Sequence, residues 1–190
     1  MFAMTPEEEV KLYSENIFEM IFNQQDSFNH SIDIKIIHAG KKLHDIIKCD
    51  INVQSCLEQL RTTLANQPSY RQERSLMECH NQLLSKLAAK PTWRSYGNVL
   101  VSVGLMEKLA LELNLGNSQP LQNSLKTTYT NCVVEHFTGF ISSMGGFSDL
   151  THYINYVTHD YGHTVVERLV INILASVIWS VFQLQTFFSD

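Results

Sequence analysis

Residues 99–113 read VLVSVGLMEKLALEL, and apolar side chains occupy nearly every side of the helix that this run predicts. Small or polar residues interrupt it only at Ser102, Gly104, Glu107, Lys108 and Glu112. A helix that is apolar all round needs other helices on every side. The run therefore predicts the central helix of a helical bundle.

The flanking sequence supplies helices to surround it. Thr5-Pro6 followed by Glu7-Glu8-Glu9 is a typical helix start, because threonine can cap, proline fits the first turn and the acids face the positive end of the dipole. A turn at 114–120 leads into an amphipathic helix that we expect to form a buried hairpin with the central one. Further helices are predicted at 5–23, 32–47, 53–65, 70–89 and 121–137, with a short segment at 138–144. No stretch alternates as a strand would, so the sequence predicts an all-α bundle of about eight helices.

The end of the chain has two interpretations. We divide the sequence into a bundle domain, 1–163, and an apolar helix, 164–190. Residues 169–188 carry no charge, and such a helix would be about 30 Å long, enough to span a bilayer. A polar stripe through this segment would instead suit a helix packed on its own domain; it consists of Asn172, Ser176, Ser180 and Gln183.

Composition limits the function classes. The chain has 190 residues, of which 44% are hydrophobic and 17% charged, and this suits one domain with a continuous core. A net charge of −5 argues against duplex nucleic acid as a partner. Residues 1–9 lack the pattern of a secretory signal, so we expect a cytoplasmic protein. No CxxC pair occurs among the cysteines, which we interpret as buried thiols in a reducing compartment: Cys49, Cys56, Cys79 and Cys132.

No catalytic or metal-binding pattern stands out. His159 and His163 lie four residues apart, but no glutamate or third ligand accompanies them. His80 beside Cys79 lacks an orienting third group, as does His136 near Cys132. We therefore expect no enzyme activity, cofactor or metal.

Two further stretches each carry aromatic residues and glycine: residues 93–100 read WRSYGNVL and residues 140–147 read FISSMGGF. Both resemble motifs of the B-cell lymphoma-2 family of apoptosis regulators. In the family, Asn-Trp-Gly-Arg precedes the apolar central helix, and Trp-Ile-x-x-x-Gly-Gly-Trp follows it. Tyr96, Gly97 and Asn98 stand at the first motif, and Gly145 lies 49 positions after Tyr96, which is the family's usual interval. The second motif is matched by Phe140, Gly145, Gly146 and Phe147.

A third family motif, an amphipathic helix containing Gly-Asp, is matched less closely. The helix predicted at 32–47 has a single apolar face and supplies the matching positions, although a lysine stands where the family has aspartate. Cys49-Asp50 is a rival placement that keeps the acid. The preferred match is Ile36, Ala39, Gly40, Lys41 and Leu43.

The resemblance implies a hydrophobic groove that binds the third-motif helices of pro-apoptotic proteins. In the family, the arginine of the first motif pairs with an aspartate of the bound helix. Asn98 replaces that arginine, so apolar contacts would have to carry the binding. The expected groove residues are Met77, His80, Leu84, Tyr96, Gly97, Asn98 and Val101.

The same resemblance leaves the role within the family open. A pro-survival protein holds pro-apoptotic helices in its groove, whereas an effector of the Bax, Bak or Bok kind permeabilises the outer mitochondrial membrane. The short connection at 24–31 would permit an effector; Lys41 at the aspartate position favours the pro-survival role. Homo- or heterodimers and attachment to that membrane through the terminal helix are further implications. A helical scaffold without a groove is the remaining alternative.

Overall fold

A computed structural model describes residues 4–23, 33–48, 58 and 60–160. The described residues form helices and contain no strand, which confirms the all-α prediction. The helices are α1 (Pro6–Phe22), α2 (Ile34–Lys48), α3 (60–65), α4 (Ser69–Leu87), α5 (Trp93–Glu112), α6 (Gln119–Ser143) and α7 (Ser148–Asp160). The predicted helix at 164–190 lies outside the described residues. Within the described part of the chain, no helix is long and apolar enough to cross a membrane.

Helix α1 begins where its sequence predicts. The Thr5 side chain accepts a hydrogen bond from the Glu8 backbone N–H, and the Glu8 carboxylate accepts one from the Thr5 backbone N–H at 2.8 Å. This reciprocal cap satisfies two backbone donors that would otherwise have no partner within the helix.

Helix α5 is the central element. It packs against α1, α2, α4 and α6, and nearly every residue from Trp93 to Ala110 is buried. It begins earlier than the sequence predicts, because Thr92 and Ser95 form a cap that places its start at Trp93. The first family-like stretch therefore belongs to the first turns of the central helix.

The expected buried hairpin is only half correct. Buried side chains recur on α6 at intervals of about four residues, and polar residues between them leave the other face in solvent. The helix also continues to Ser143, absorbing the short segment predicted at 138–144. Thus α5 is the core and α6 is an amphipathic outer helix. The buried residues of α6 are Leu121, Leu125, Tyr129, Thr130, Val133, Phe137 and Ile141.

Candidate functional site

The second family-like stretch forms the turn between α6 and α7. Gly145 and Gly146 have φ angles of +87° and +93°, which L-residues with a side chain rarely adopt. The Gly146 N–H donates to the Ile141 carbonyl at 2.9 Å and closes the end of α6. The chain then turns into α7 with Phe147 fully buried. The two glycines are therefore required by the backbone of this turn.

An aromatic cluster joins the two family-like stretches. The ring centroids of Trp93 and Phe140 lie 5.2 Å apart, and those of Tyr96 and Phe147 lie 5.8 Å apart. Both pairs meet edge to face, the geometry that the charge distribution of aromatic rings favours. Tyr13 of α1 and Phe137 of α6 complete the cluster, at 5.2 Å from Phe147 and 5.6 Å from Tyr96 respectively. Residues about fifty positions apart in sequence thus share one packing unit.

A hydrogen bond that the sequence analysis missed fastens this cluster to α7. The Trp93 indole Nε1–H donates to Oδ2 of Asp149 at 2.6 Å. Trp93 is 4% exposed, and Asp149 lies in the first turn of α7, where an acid also suits the helix dipole. The sequence shows an acid, Asp149, two residues after Phe147, but nothing in the sequence identifies Trp93 as its hydrogen-bond donor.

Beneath the cluster lies a buried set of hydroxyl groups. The Tyr96 and Tyr129 hydroxyl oxygens are 3.3 Å apart. Ser14 of α1 is buried nearby without a well-formed hydrogen bond, and the ring of Phe18, also on α1, lies 5.8 Å from that of Tyr129. Removal from water raises the pKa of both phenols well above the ordinary value of 10.0. Both tyrosines therefore stay neutral and tie α1, α5 and α6 together.

The expected groove residues lie on two helices that pack against each other, α4 and α5. Met77 on α4 is partly buried against the core. The other six are buried in this conformation: His80, Leu84, Tyr96, Gly97, Asn98 and Val101. The predicted residues thus lie on two helices in contact, and six of the seven are covered rather than lining an open groove.

His80 is a polar residue inside an apolar interface. It is fully buried on α4, faces the backbone of Leu125 on α6, and neither ring nitrogen makes a well-formed hydrogen bond. Desolvation lowers the pKa of its imidazole from 6.5 to about 4. The ring is therefore neutral at physiological pH, and protonating it would place a charge in the core.

Asn98, the last residue of the first family-like match, is buried in this conformation. Its side chain is 0% exposed, and neither its amide nitrogen nor its amide oxygen has a hydrogen-bond partner. An unpaired buried amide costs about 1–3 kcal/mol. An arginine at this position would bury a charge, which is more costly. This burial accounts for an uncharged residue here.

The third-motif match lies on α2, with its apolar side turned into the bundle. Ile36 and Ala39 are 5% and 6% exposed. A Cβ added to Gly40 would lie 3.1 Å from the Ile17 side chain, so the glycine permits close packing of α2 on α1. Lys41 pairs with Asp45 at 2.6 Å, one turn later on the same helix. Nothing is described for the Leu43 side chain, and the rival Cys49-Asp50 lies outside the described residues.

The His44 ring of α2 packs closely against Gly104 of α5. A Cβ added to Gly104 would lie 2.6 Å from the ring carbon Cδ2 of His44, and closer still to Nε2. The ring is buried, and its Nδ1 lies 3.1 Å from a carboxylate oxygen of Asp45. Gly104 therefore leaves the space that allows the imidazole to lie flat against the central helix.

Reactive groups in the described residues do not assemble into a centre. No set of three histidine, cysteine, aspartate or glutamate residues could hold a metal ion within the part that the structure describes. Burial raises the pKa of the Cys79 thiol to about 12 and that of Cys132 to about 11, so both thiols are poor nucleophiles. His163 lies outside the described residues.

Comparison with known proteins adds no relative. No protein-family model matches this chain. No curated protein and no solved structure matches it either.

Proposed function

We propose that this chain is a regulator of apoptosis that binds amphipathic helices, in the pro-survival manner of the B-cell lymphoma-2 family. The observation that carries the proposal is the aromatic cluster, in which the two family-like stretches meet around the double-glycine turn. The largely buried α5, whose first turns contain the first of these stretches, is the second support. Binding, rather than catalysis, is the activity proposed.

The pro-survival role is supported by α2. An effector would have to present the acid of its third motif to a neighbouring groove, but Lys41 occupies that position. The nearest acid on the helix, Asp45, lies one turn later and pairs with Lys41. An effector that permeabilises the outer mitochondrial membrane is the alternative role. Liposome release by the full chain distinguishes the two roles, since only the effector would release contents.

Burial of the expected groove residues has a consequence for binding. A helical ligand can reach Leu84 on α4 or Val101 on α5 only if the elements that cover them move, because both side chains are 2% exposed. The apparent affinity is then reduced by the fraction of molecules that are open. We expect association to be slower than about 10⁵ M⁻¹s⁻¹, as for binding that requires a conformational change.

Calorimetric titration of the full chain with a panel of third-motif peptides tests the proposal. Binding of at least one peptide, and of no sequence-scrambled version, is the expected result. The absence of heat for every peptide at about 100 μM, a concentration that reveals even weak complexes, would contradict it.

A scaffold function without a ligand is the second candidate. The specific observation in its favour is that six of the seven expected groove residues are buried in the bundle. Under this alternative the aromatic cluster serves only to hold α5, α6 and α7 together. The same titration separates the two candidates, because a scaffold binds no peptide in the panel.

A further inference from the structure

The outward side of α2 is unusual for this protein. We define the α2 basic face as Ile34, Lys35, His38, Lys41 and Lys42. On a helix with 100° between successive residues these five positions fall within one arc. Ile34, Lys35, His38 and Lys42 are exposed, and Lys41 is partly exposed. The face is therefore continuous and open to solvent.

Its charge opposes that of the whole chain. The sequence of α2 has four lysines and one aspartate, a formal charge of +3, whereas the chain totals −5. The aspartate, Asp45, is occupied by Lys41 and lies beside His44. Lys35 and Lys42 have no acid partner among the ion pairs of the described residues. Positive charge is thus concentrated on one helix of an acidic protein.

An exposed apolar residue adjoins these lysines. Ile34 is 45% exposed, while the other isoleucines described on this helix, Ile36 and Ile37, are 5% and 0% exposed. Lysines beside an exposed isoleucine suit the surface of an anionic bilayer, because the ammonium groups meet lipid phosphates and carboxylates while the apolar side chain enters the interface. A soluble acidic partner would use the charge but would not require the isoleucine.

We propose that the α2 basic face docks on an anionic lipid bilayer. The inference rests on the membrane association predicted for residues 169–188, which would bring the bundle to a bilayer. The apolar side of α2 stays in the core, so the helix lies against the headgroups without leaving the bundle. Docking would orient the molecule with α2 towards the membrane.

Vesicle flotation of the full chain tests the inference. The vesicles contain phosphatidylcholine alone or with phosphatidylserine, and the variant is Lys35→Gln/Lys42→Gln. The matched control is Lys11→Gln/Lys90→Gln, which removes two exposed lysines elsewhere and leaves the same net charge. Phosphatidylserine should tighten binding of the wild type and the control, and the α2 variant should bind about 30-fold more weakly than the control. Salt at 0.5 M should remove the difference.

Each other outcome has a defined meaning. Equal binding of the two variants to anionic vesicles would overturn the inference, as would equally tight wild-type binding to an acidic peptide in solution. Wild-type binding that is indifferent to phosphatidylserine would overturn it while leaving membrane association through residues 169–188 intact. Failure to float with any vesicle would refute both. Peptide binding to the proposed groove is measured separately and is unaffected by any of these results.

Discussion

Two glycines in the middle of helices should respond to alanine with opposite signs. Gly104 in α5 faces the His44 ring, whereas a Cβ on Gly139 in α6 would meet nothing within 4 Å. Alanine in place of glycine stabilises a helix interior by about 1 kcal/mol. Gly139→Ala should therefore gain up to about that amount.

At Gly104 the stabilisation that alanine gives a helix is opposed by a steric conflict between the new Cβ and the His44 ring. The imidazole cannot remain 2.6 Å from the new carbon, so the buried ring must leave or α2 must shift from α5. Overpacking of this kind costs about 1–3 kcal/mol. Loss of the ring's buried contacts adds to this, and we expect a net destabilisation of about 1–2 kcal/mol.

Thermal unfolding followed by circular dichroism measures both effects. For a chain of this size, 1 kcal/mol shifts Tm by about 2–4 °C, so the two variants should differ by roughly 5–10 °C. In the double variant Gly104→Ala/His44→Ala, the clash is gone and the combined loss should be smaller than the sum of the single losses. Equal stability of Gly104→Ala and Gly139→Ala, or additive losses in the double variant, would refute the packing of His44 on α5.

Two further predictions concern the aromatic cluster and the buried histidine. Trp93→Phe keeps a ring but removes the donor to Asp149, a hydrogen bond to a carboxylate worth about 1.5–3 kcal/mol; denaturant unfolding should show a loss of this size. Asp149→Asn should cost less in the Trp93→Phe background than in the wild type, because only the interaction of the acid with the start of α7 is then left to lose. His80 binds a proton near pH 6.5 when unfolded but only near pH 4 when folded. Stability should therefore be insensitive to His80 above pH 6.5 and fall between pH 6.5 and 4, by at most about 3 kcal/mol. His80→Leu should flatten this part of the stability profile, and an unchanged profile would show that the ring is not buried.

The helices were predictable where sequence signals are local. The cap at Thr5, the turn after Leu113 and the apolar character of 99–113 depend on neighbouring residues, and each places an element correctly. The start of α5 at Trp93 was missed because a capping box usually has Glu or Gln three residues after its cap. Here Ser95 stands at that position after Thr92 and performs the same role.

The site was less predictable because it depends on distant pairs. The two family-like stretches gave no signal of the hydrogen bond from Trp93 to Asp149, which lies outside both motifs' matched positions. Helical spacing placed His80 on α4, whereas Asn98 was expected just ahead of the central helix; neither pattern revealed that both side chains would be buried. Such burial depends on how closely two helices approach, and no single-helix pattern contains that distance.

The most direct test of helix binding by this fold uses Met77, the expected groove residue that is only partly buried. A labelled third-motif peptide is titrated with the full chain, and its fluorescence anisotropy gives the affinity. The proteins compared are the wild type, Met77→Glu and the control Met4→Glu, which alters an exposed methionine ahead of α1. We predict that the wild type and the control bind alike and that Met77→Glu binds at least about tenfold more weakly, since a charge in an apolar contact costs more than 1.4 kcal/mol. Equal binding of Met77→Glu and Met4→Glu would contradict a groove between α4 and α5.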